Sequence, residues 1–149
     1  MISLKELAKN GTLGEVYITM HADRVVELIG EPDFTGGGRR KQKWESIYRY
    51  GSLELGFEAN SKELNYIAIN YAQEFESPKH LEYHSWVLSS ELASSEFITA
   101  CESQEIEFKM LDEAWNEGCK EYLTDGGMHL CFDEEDKLVK FVVSDHEYS

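Results

Sequence analysis

The hydrophobic and polar positions of this chain predict a helix followed by a run of strands, and that order occurs twice. In the first half, Leu4, Leu7 and Ala8 share one face of a short opening helix that Gly11 would end with a left-handed cap. A second helix follows, with a stripe of apolar residues between about 22 and 29, and Gly30 ends it. Alternating apolar residues then predict strands near 44–50, 52–58 and 63–71.

The second half begins again with a helix. Ser94 or Ser95 is the expected cap, and Phe97, Ile98 and Cys101 form its expected buried side. Four strands are predicted after it, near 106–110, 118–124, 127–132 and 137–144. The segment between the halves, 77–88, suits either an extended bridge or a helical turn, and the pattern does not choose between them.

The two halves also match residue by residue over part of their length. The segment Tyr50–Glu58 aligns with Asp125–Asp133 at an offset of 75, with glycine on glycine and alternate apolar residues on alternate apolar residues. After one deletion the match continues, since Leu64, Ile67 and Ile69 align with Leu138, Phe141 and Val143. The spacing therefore indicates a tandem repeat.

This pattern predicts an α+β fold built from two tandem helix-plus-antiparallel-meander repeats, 1–76 and 77–149. One helix on three or four strands makes a thin core, so we expect the repeats to share one layer-like sheet and one core as a single cooperative domain. One face of such a sheet stays uncovered, and an uncovered face is where another protein can bind.

The two halves of the chain differ more in net charge than in hydrophobic pattern. The net charge is -15, and residues 1–75 carry nine Lys/Arg and eleven Asp/Glu, whereas residues 76–149 carry five and eighteen. Nucleic acid and anionic membranes are poor partners for such a surface, because binding phosphates requires cations that displace their counterions. A basic protein is the expected partner, although the same charge can serve solubility alone.

Three cysteines without CxxC spacing predict reduced thiols rather than a disulfide framework. The first residues contain no apolar run of signal-peptide length, and no stretch of the chain approaches the length of a membrane span. We therefore expect a cytoplasmic protein.

Glycine and basic residues follow one another from Thr35 to Lys43, and they predict a flexible loop. Bare amides and cations suit a phosphate, but neither a Walker A spacing nor a dinucleotide fingerprint is present. An alternative is that this loop docks against the acidic half, within the molecule or across a homodimer.

Candidate catalytic and metal-binding residues are few, and we predict no catalytic residue, no metal and no cofactor. His80 and His84 would share a helical face but lack the HExxH pattern and a third ligand. His129 and Cys131 point to one side of a strand, with Cys119 as a neighbour, and a half-buried thiol beside a hydrogen-bonded imidazole is the favoured interpretation. Cys101 falls on an apolar helix face, where a thiol would be inert.

Trp115 is the aromatic residue that hydrophobic packing explains least, because it lies in an acidic segment, 110–118. A tryptophan ringed by carboxylates is a plausible anchor for a basic protein. The predicted partner-binding residues are Trp115, Glu113, Glu117, Asp133, Glu134, Glu135 and Asp136. The last four form an acidic hairpin turn that lacks the ligand spacing of an EF-hand.

The run Val25–Asp33, followed by Trp44 and Tyr48–Phe57, resembles a group of uncharacterised bacterial proteins in which a helix ends in Leu-Gly-x-Pro before a strand pair with Tyr-Gly-x-Leu-Glu. Helix plus meander in tandem is similar to the beta-lactamase inhibitory protein fold, and each unit resembles the small domain of outer-membrane assembly lipoproteins. The resemblance implies protein binding rather than catalysis, as in immunity partners of bacterial toxins.

Three hypotheses follow from these observations. The first is a non-enzymatic binding module, such as an immunity protein that neutralises a basic toxin. The second is a small-ligand or metal-dependent enzyme with a pocket between the repeats, near His129, Cys131 and Cys119. The third is a self-associating structural module.

Overall fold

The structure, a computed structural model, describes residues 2–37, 45–111 and 118–144. In that part of the chain there are three helices, α1 (Leu4–Asn10), α2 (Ala22–Ile29) and α3 (Ser94–Ser103). The strands, in chain order, are β1 (Ile2–Ser3), β2 (Thr12–Leu13), β3 (Val16–Tyr17), β4 (Phe34–Gly37), β5 (Glu45–Tyr50), β6 (Leu53–Glu58), β7 (Leu64–Asn70), β8 (Tyr83–His84), β9 (Phe108–Met110), β10 (Lys120–Thr124), β11 (Met128–Phe132) and β12 (Leu138–Ser144). The fold class is α+β.

The first helix is the one that the apolar spacing predicts. Leu4, Leu7 and Ala8 are fully buried, and Gly11 ends the helix in the left-handed region at φ 77°. The Gly11 N–H donates to the Leu7 carbonyl at 3.0 Å, which satisfies one of the carbonyls that a helix end leaves open. The predicted glycine cap is confirmed.

The start of α3 differs from the prediction by one residue. Ala93, rather than Ser94 or Ser95, precedes the helix, and its side chain has no oxygen with which to cap. The Glu96 carboxylate instead accepts from the Ala93 N–H at 3.0 Å, which is one half of a capping box. Phe97 is fully buried as predicted, and its ring lies about 6 Å from those of Phe108, Tyr122 and Phe132.

The main sheet is antiparallel and has eight strands in the order β4-β5-β6-β7-β12-β11-β10-β9. Four of these strands precede residue 76 and four follow it, and β7 pairs with β12 in the middle, where Ile67 faces Val143 and Ile69 faces Phe141. The predicted strands near 44–50, 52–58, 63–71, 118–124, 127–132 and 137–144 are confirmed, and the one near 106–110 is shortened to β9.

The glycine-rich segment from Thr35 to Lys43 is not a loop throughout. Phe34–Gly37 forms β4, an edge strand in which Phe34 pairs with Arg49 and Gly37 with Ser46. Glycine weakens a strand, but it keeps the backbone N–H and C=O that pair with the neighbouring strand. A segment that starts with Phe34 and Thr35 can therefore still form the edge strand of a sheet. Residues 38–44 lie outside the described part.

The segment that the sequence left open, 77–88, is neither a helix nor one long strand. Its only described strand is β8, which runs parallel to β1 with Tyr83 opposite Ile2. Because 77–86 is not helical, His80 and His84 do not share a helical face, and the basis for a zinc site at that pair is absent.

One hydrophobic core joins the helices to one face of the sheet. Side chains from all three helices and from β6, β7, β11 and β12 belong to it. The first helix also contacts the second half directly, because the Ala8 carbonyl accepts from the Gly126 N–H at 3.0 Å and from the Thr124 hydroxyl at 2.6 Å. The N-terminal helix is thereby tied to the β10–β11 turn.

Candidate functional site

A polar cluster lies on the face of β11 that points away from the helices. Met128, Leu130 and Phe132 enter the core, so strand alternation turns His129 and Cys131 to the other face, as predicted. Both are nevertheless buried, with 5% of His129 and 3% of Cys131 exposed. The thiol is therefore fully buried rather than half-buried, which corrects that part of the expectation.

Glu121 is the member of this cluster that sequence reasoning missed. It lies on β10 directly opposite Cys131, and its exposed fraction is 0%. Its Oε1 lies 2.6 Å from His129 Nε2, so an imidazole with its proton on Nε2 donates to the carboxylate. The hydrogen-bonded imidazole was predicted, but its acceptor was not.

Cys119, which the sequence associated with His129 and Cys131, does not join them as a third donor. It precedes β10 by one residue and is half-buried. Glu121, His129 and Cys131 instead place one donor atom each within 4.8 Å of one another. The signal that could have found Glu121 is the antiparallel register across the turn at 125–127, which sets Glu121 opposite Cys131.

The two remaining thiols are poorly suited to nucleophilic chemistry. Burial raises the pKa of Cys101 to about 12, and its side chain is fully enclosed. Burial, followed by the charges of Glu121 and Asp133, raises the pKa of Cys119 as well. Since the thiolate is the reactive form, both groups stay protonated at neutral pH.

The predicted acidic turn divides into structural and exposed carboxylates. Asp133 Oδ1 accepts from the N–H groups of Glu135 at 2.9 Å and Lys137 at 3.0 Å, so it organises the turn itself. Asp136 Oδ2 accepts from the Ser94 N–H at 3.3 Å, which joins the turn to the start of α3. Glu134 and Glu135 lie at the tip of the hairpin, and both are exposed.

Lys137 stands at the base of this turn among several carboxylates. Its Nζ donates to Glu91 at 3.0 Å, and this hydrogen bond, followed by the charge of Glu91, raises the pKa of the ammonium. Glu96 and Glu135 add to the shift. These residues, Glu91, Glu96, Glu134, Glu135 and Lys137, are called the acidic end below.

Of the seven predicted partner-binding residues, Asp133, Glu134, Glu135 and Asp136 thus form one turn beside α3. Trp115, Glu113 and Glu117 lie outside the described residues. Trp86, the other tryptophan of the second half, is half-buried and packs edge-on against Phe97 at 6.2 Å between ring centroids.

A groove of about 410 Å³ lies where the two halves join, and its lining includes Tyr71, Phe75 and Leu88. Phe75 is 47% exposed, so the groove presents aromatic surface. Neither His129 nor Cys131 lines it. The groove and the buried cluster are therefore separate features.

Across residues 2–37, 45–111 and 118–144, no helix has the length and hydrophobicity that crossing a membrane requires. Comparisons of the chain with protein families, with characterised proteins and with solved structures find no match. The resemblance to the tandem inhibitory-protein fold therefore stays a prediction.

Proposed function

We propose that this protein is a non-catalytic binding module that recognises a basic protein through the acidic end, and that it acts in the cytoplasm. The observation that carries the proposal is the crowding of carboxylates around one cation. Lys137 Nζ donates to Glu91, and the charges of Glu96 and Glu135 also raise the pKa of its ammonium, so three carboxylates lie around one cation. The excess negative charge remains available to a partner.

Exposure supports the same assignment. Glu134 and Glu135 lie at the tip of the β11–β12 hairpin, where Asp133 and Asp136 hold the backbone in place. Because hydrogen bonds already fix the backbone of this turn, little backbone freedom is lost when it binds a partner. Carboxylates in such a position mainly accelerate encounter and suppress wrong partners, which is the behaviour that an inhibitor of a toxic nuclease needs.

We further propose that the chain is a tandem repeat whose two units, 1–76 and 77–149, share one sheet and one core. The strand order is a meander on each side of the β7–β12 pair. The register shifts at Gly56/Phe57 in β6 and at Cys131/Phe132 in β11, positions that the sequence alignment also equates. Coinciding irregularities support a common origin, because bulges are retained within families.

Fragments test the shared core. Residues 1–76 and 77–149, produced separately, should each lack cooperative thermal unfolding, because each exposes an apolar sheet face and a central strand. Mixed together they should form a 1:1 complex with the circular dichroism of the intact chain. A fragment that unfolds cooperatively as a monomer contradicts the proposal.

Affinity capture from the source organism tests the function. The intact chain should retain a basic protein at low salt and release it as salt rises, because the Debye length falls from about 10 Å at 0.1 M to about 3 Å at 1 M. The double substitution Glu134→Gln/Glu135→Gln should weaken retention and slow association. The matched control is Glu15→Gln/Glu63→Gln, which neutralises two exposed carboxylates of the first half.

Co-expression then separates an immunity role from simple binding. A retained protein that arrests bacterial growth when produced alone should lose that effect when this chain is produced with it. Retention that is insensitive to salt, or that falls equally in the control variant, refutes recognition through the acidic end. Growth arrest that persists during co-expression refutes the immunity role and leaves binding intact.

A further inference from the structure

Glu121, His129 and Cys131 supply three different donor types, one carboxylate, one imidazole and one thiol, within 4.8 Å. All three are at least 95% buried. A carboxylate that is removed from water in this way is costly unless it is paired or binds a cation. The His129 imidazole pairs with the Glu121 carboxylate. The adjacent Cys131 thiol suggests that the same carboxylate can also bind a cation.

Three protein donors with a water molecule in the fourth position make a four-coordinate zinc site. Bonds of about 2.0–2.2 Å to nitrogen and oxygen and about 2.3 Å to sulfur, at tetrahedral angles, hold donor atoms about 3.3–3.6 Å apart. His129 Nε2 and Glu121 Oε1 now lie 2.6 Å apart. A zinc ion between them would require this contact to widen by about 0.7 Å, and all three donor atoms already lie within 4.8 Å of one another.

Donor chemistry selects the kind of ion. Calcium and magnesium prefer all-oxygen sites, whereas nitrogen and sulfur donors together favour zinc. A zinc ion bound by a carboxylate, a thiolate and a neutral imidazole has no net formal charge, which suits a buried position. We propose that Glu121, His129 and Cys131 form a zinc-binding site.

Such a site would link two strands of the sheet. Glu121 belongs to β10, while His129 and Cys131 belong to β11, and Glu121 and Cys131 are direct partners across the ladder. An ion bound by both strands therefore resists their separation. Because the three donors come together only in the folded protein, zinc binds it more tightly than the unfolded chain, and the stabilisation rises with the logarithm of the free zinc concentration divided by the Kd.

Metal loading of the intact chain is the first test. Protein purified with a reductant and stripped by a chelator should retain about one zinc ion per chain after loading and gel filtration. Its Tm should rise by about 5 °C or more when free zinc is about 100-fold above the Kd. Cobalt in place of zinc should give the near-ultraviolet charge-transfer absorption of a thiolate ligand.

Substitutions then assign the ligands. Cys131→Ser and His129→Gln should each lower zinc affinity at least about tenfold and, for Cys131→Ser, abolish the thiolate absorption. Cys119→Ser is the matched control, because it removes a nearby thiol that lies outside the cluster, and it should retain both signals.

Two results overturn the site, and neither requires a variant that folds poorly. Wild-type protein that retains less than about 0.1 zinc ion per chain, with a Tm unchanged by excess zinc, excludes binding. Loss of the cobalt absorption in Cys119→Ser places the thiolate at Cys119 and refutes the assignment to Cys131. Failure here leaves the acidic end, and the function proposed for it, unaffected.

Discussion

Gly126→Ala should destabilise the entire protein, because a methyl group at this position would collide with the helix that joins the two halves. A Cβ built on Gly126 lies 2.6 Å from the Ala8 carbonyl oxygen, 2.6 Å from Gly11 N and 2.8 Å from Asn10 N. All three are backbone atoms, so no side chain can rotate away to make room. The last turn of α1 and the β10–β11 turn must separate.

The cost follows from the hydrogen bonds in that contact. Reaching an ordinary separation of 3.4 Å requires a shift of about 0.8 Å. The same shift stretches the 3.0 Å bond from Gly126 N–H and the 2.6 Å bond from Thr124 to the Ala8 carbonyl. Leaving these groups unsatisfied should lower the free energy of unfolding by about 2–4 kcal/mol.

Gly127→Ala is the matched control in the same turn. Its Cβ meets nothing within 4 Å, but Gly127 has a φ of 92°, which a side chain disfavours. The expected loss is about 1–2 kcal/mol from backbone strain alone. Both substitutions reduce the entropy of the unfolded chain equally, so the comparison sets the collision with α1 against the backbone strain at residue 127.

Equilibrium unfolding in urea, followed by tryptophan fluorescence and circular dichroism, measures both variants. The two probes should give one coincident transition, with the midpoint of Gly126→Ala below that of Gly127→Ala and unchanged m-values. A Gly126→Ala midpoint equal to or above that of Gly127→Ala refutes the predicted collision. Separate transitions for the two probes would refute the single cooperative unit.

Two further predictions concern the cysteines. Because burial raises the Cys101 pKa from 9.0 to about 12, the associated stability is present below pH 9 and is lost as pH rises toward 12. The part of that loss due to Cys101 is about 1 kcal/mol at pH 10, so Cys101→Ala should make stability in urea fall less steeply between pH 8 and 10. An unchanged slope contradicts the assignment. In native protein at pH 8, alkylation mapped by mass spectrometry should modify half-buried Cys119 before Cys101, and Cys119 should react more slowly than a thiol in an unfolded peptide because its pKa is raised. Modification of Cys101 ahead of Cys119 would show that α3 opens more readily than its burial implies.

Local patterns determined most of the fold from sequence alone. Period-two alternation located the strands β5 to β7 and β10 to β12, and a single glycine, Gly11, located the end of α1. These features depend on residues close in sequence, where side-chain spacing and backbone preference act directly. The start of α3 was missed by one residue because Glu96 caps from inside the helix.

The candidate site was only partly predictable, because it depends on pairing between strands as well as on side-chain spacing within one strand. Alternation correctly placed His129 and Cys131 on one side of β11, but strand register decides that Glu121 is their neighbour. The turn residue Asp136 is predicted to contact a partner, and its carboxylate also accepts from Ser94 N–H, 42 residues earlier. The first relationship can be inferred from the register of the β10–β11 hairpin, whereas the second has no signature in the local sequence.

The two ends of the eight-stranded sheet have a consequence for how the protein behaves in concentrated solution. β4 and β9 terminate the ladder within the described residues, and Phe34 and Met110 on them are 58% and 59% exposed. A second molecule that added to either end would lengthen the ribbon without closing it, which is the geometry of an open filament. The terminal strands span only four and three residues, and Lys109 occupies the middle of the shorter one. The short edge strands therefore oppose fibril growth at both ends of the sheet, and the charge of Lys109 opposes it at β9. Lys109→Val would remove the opposition that comes from this charge.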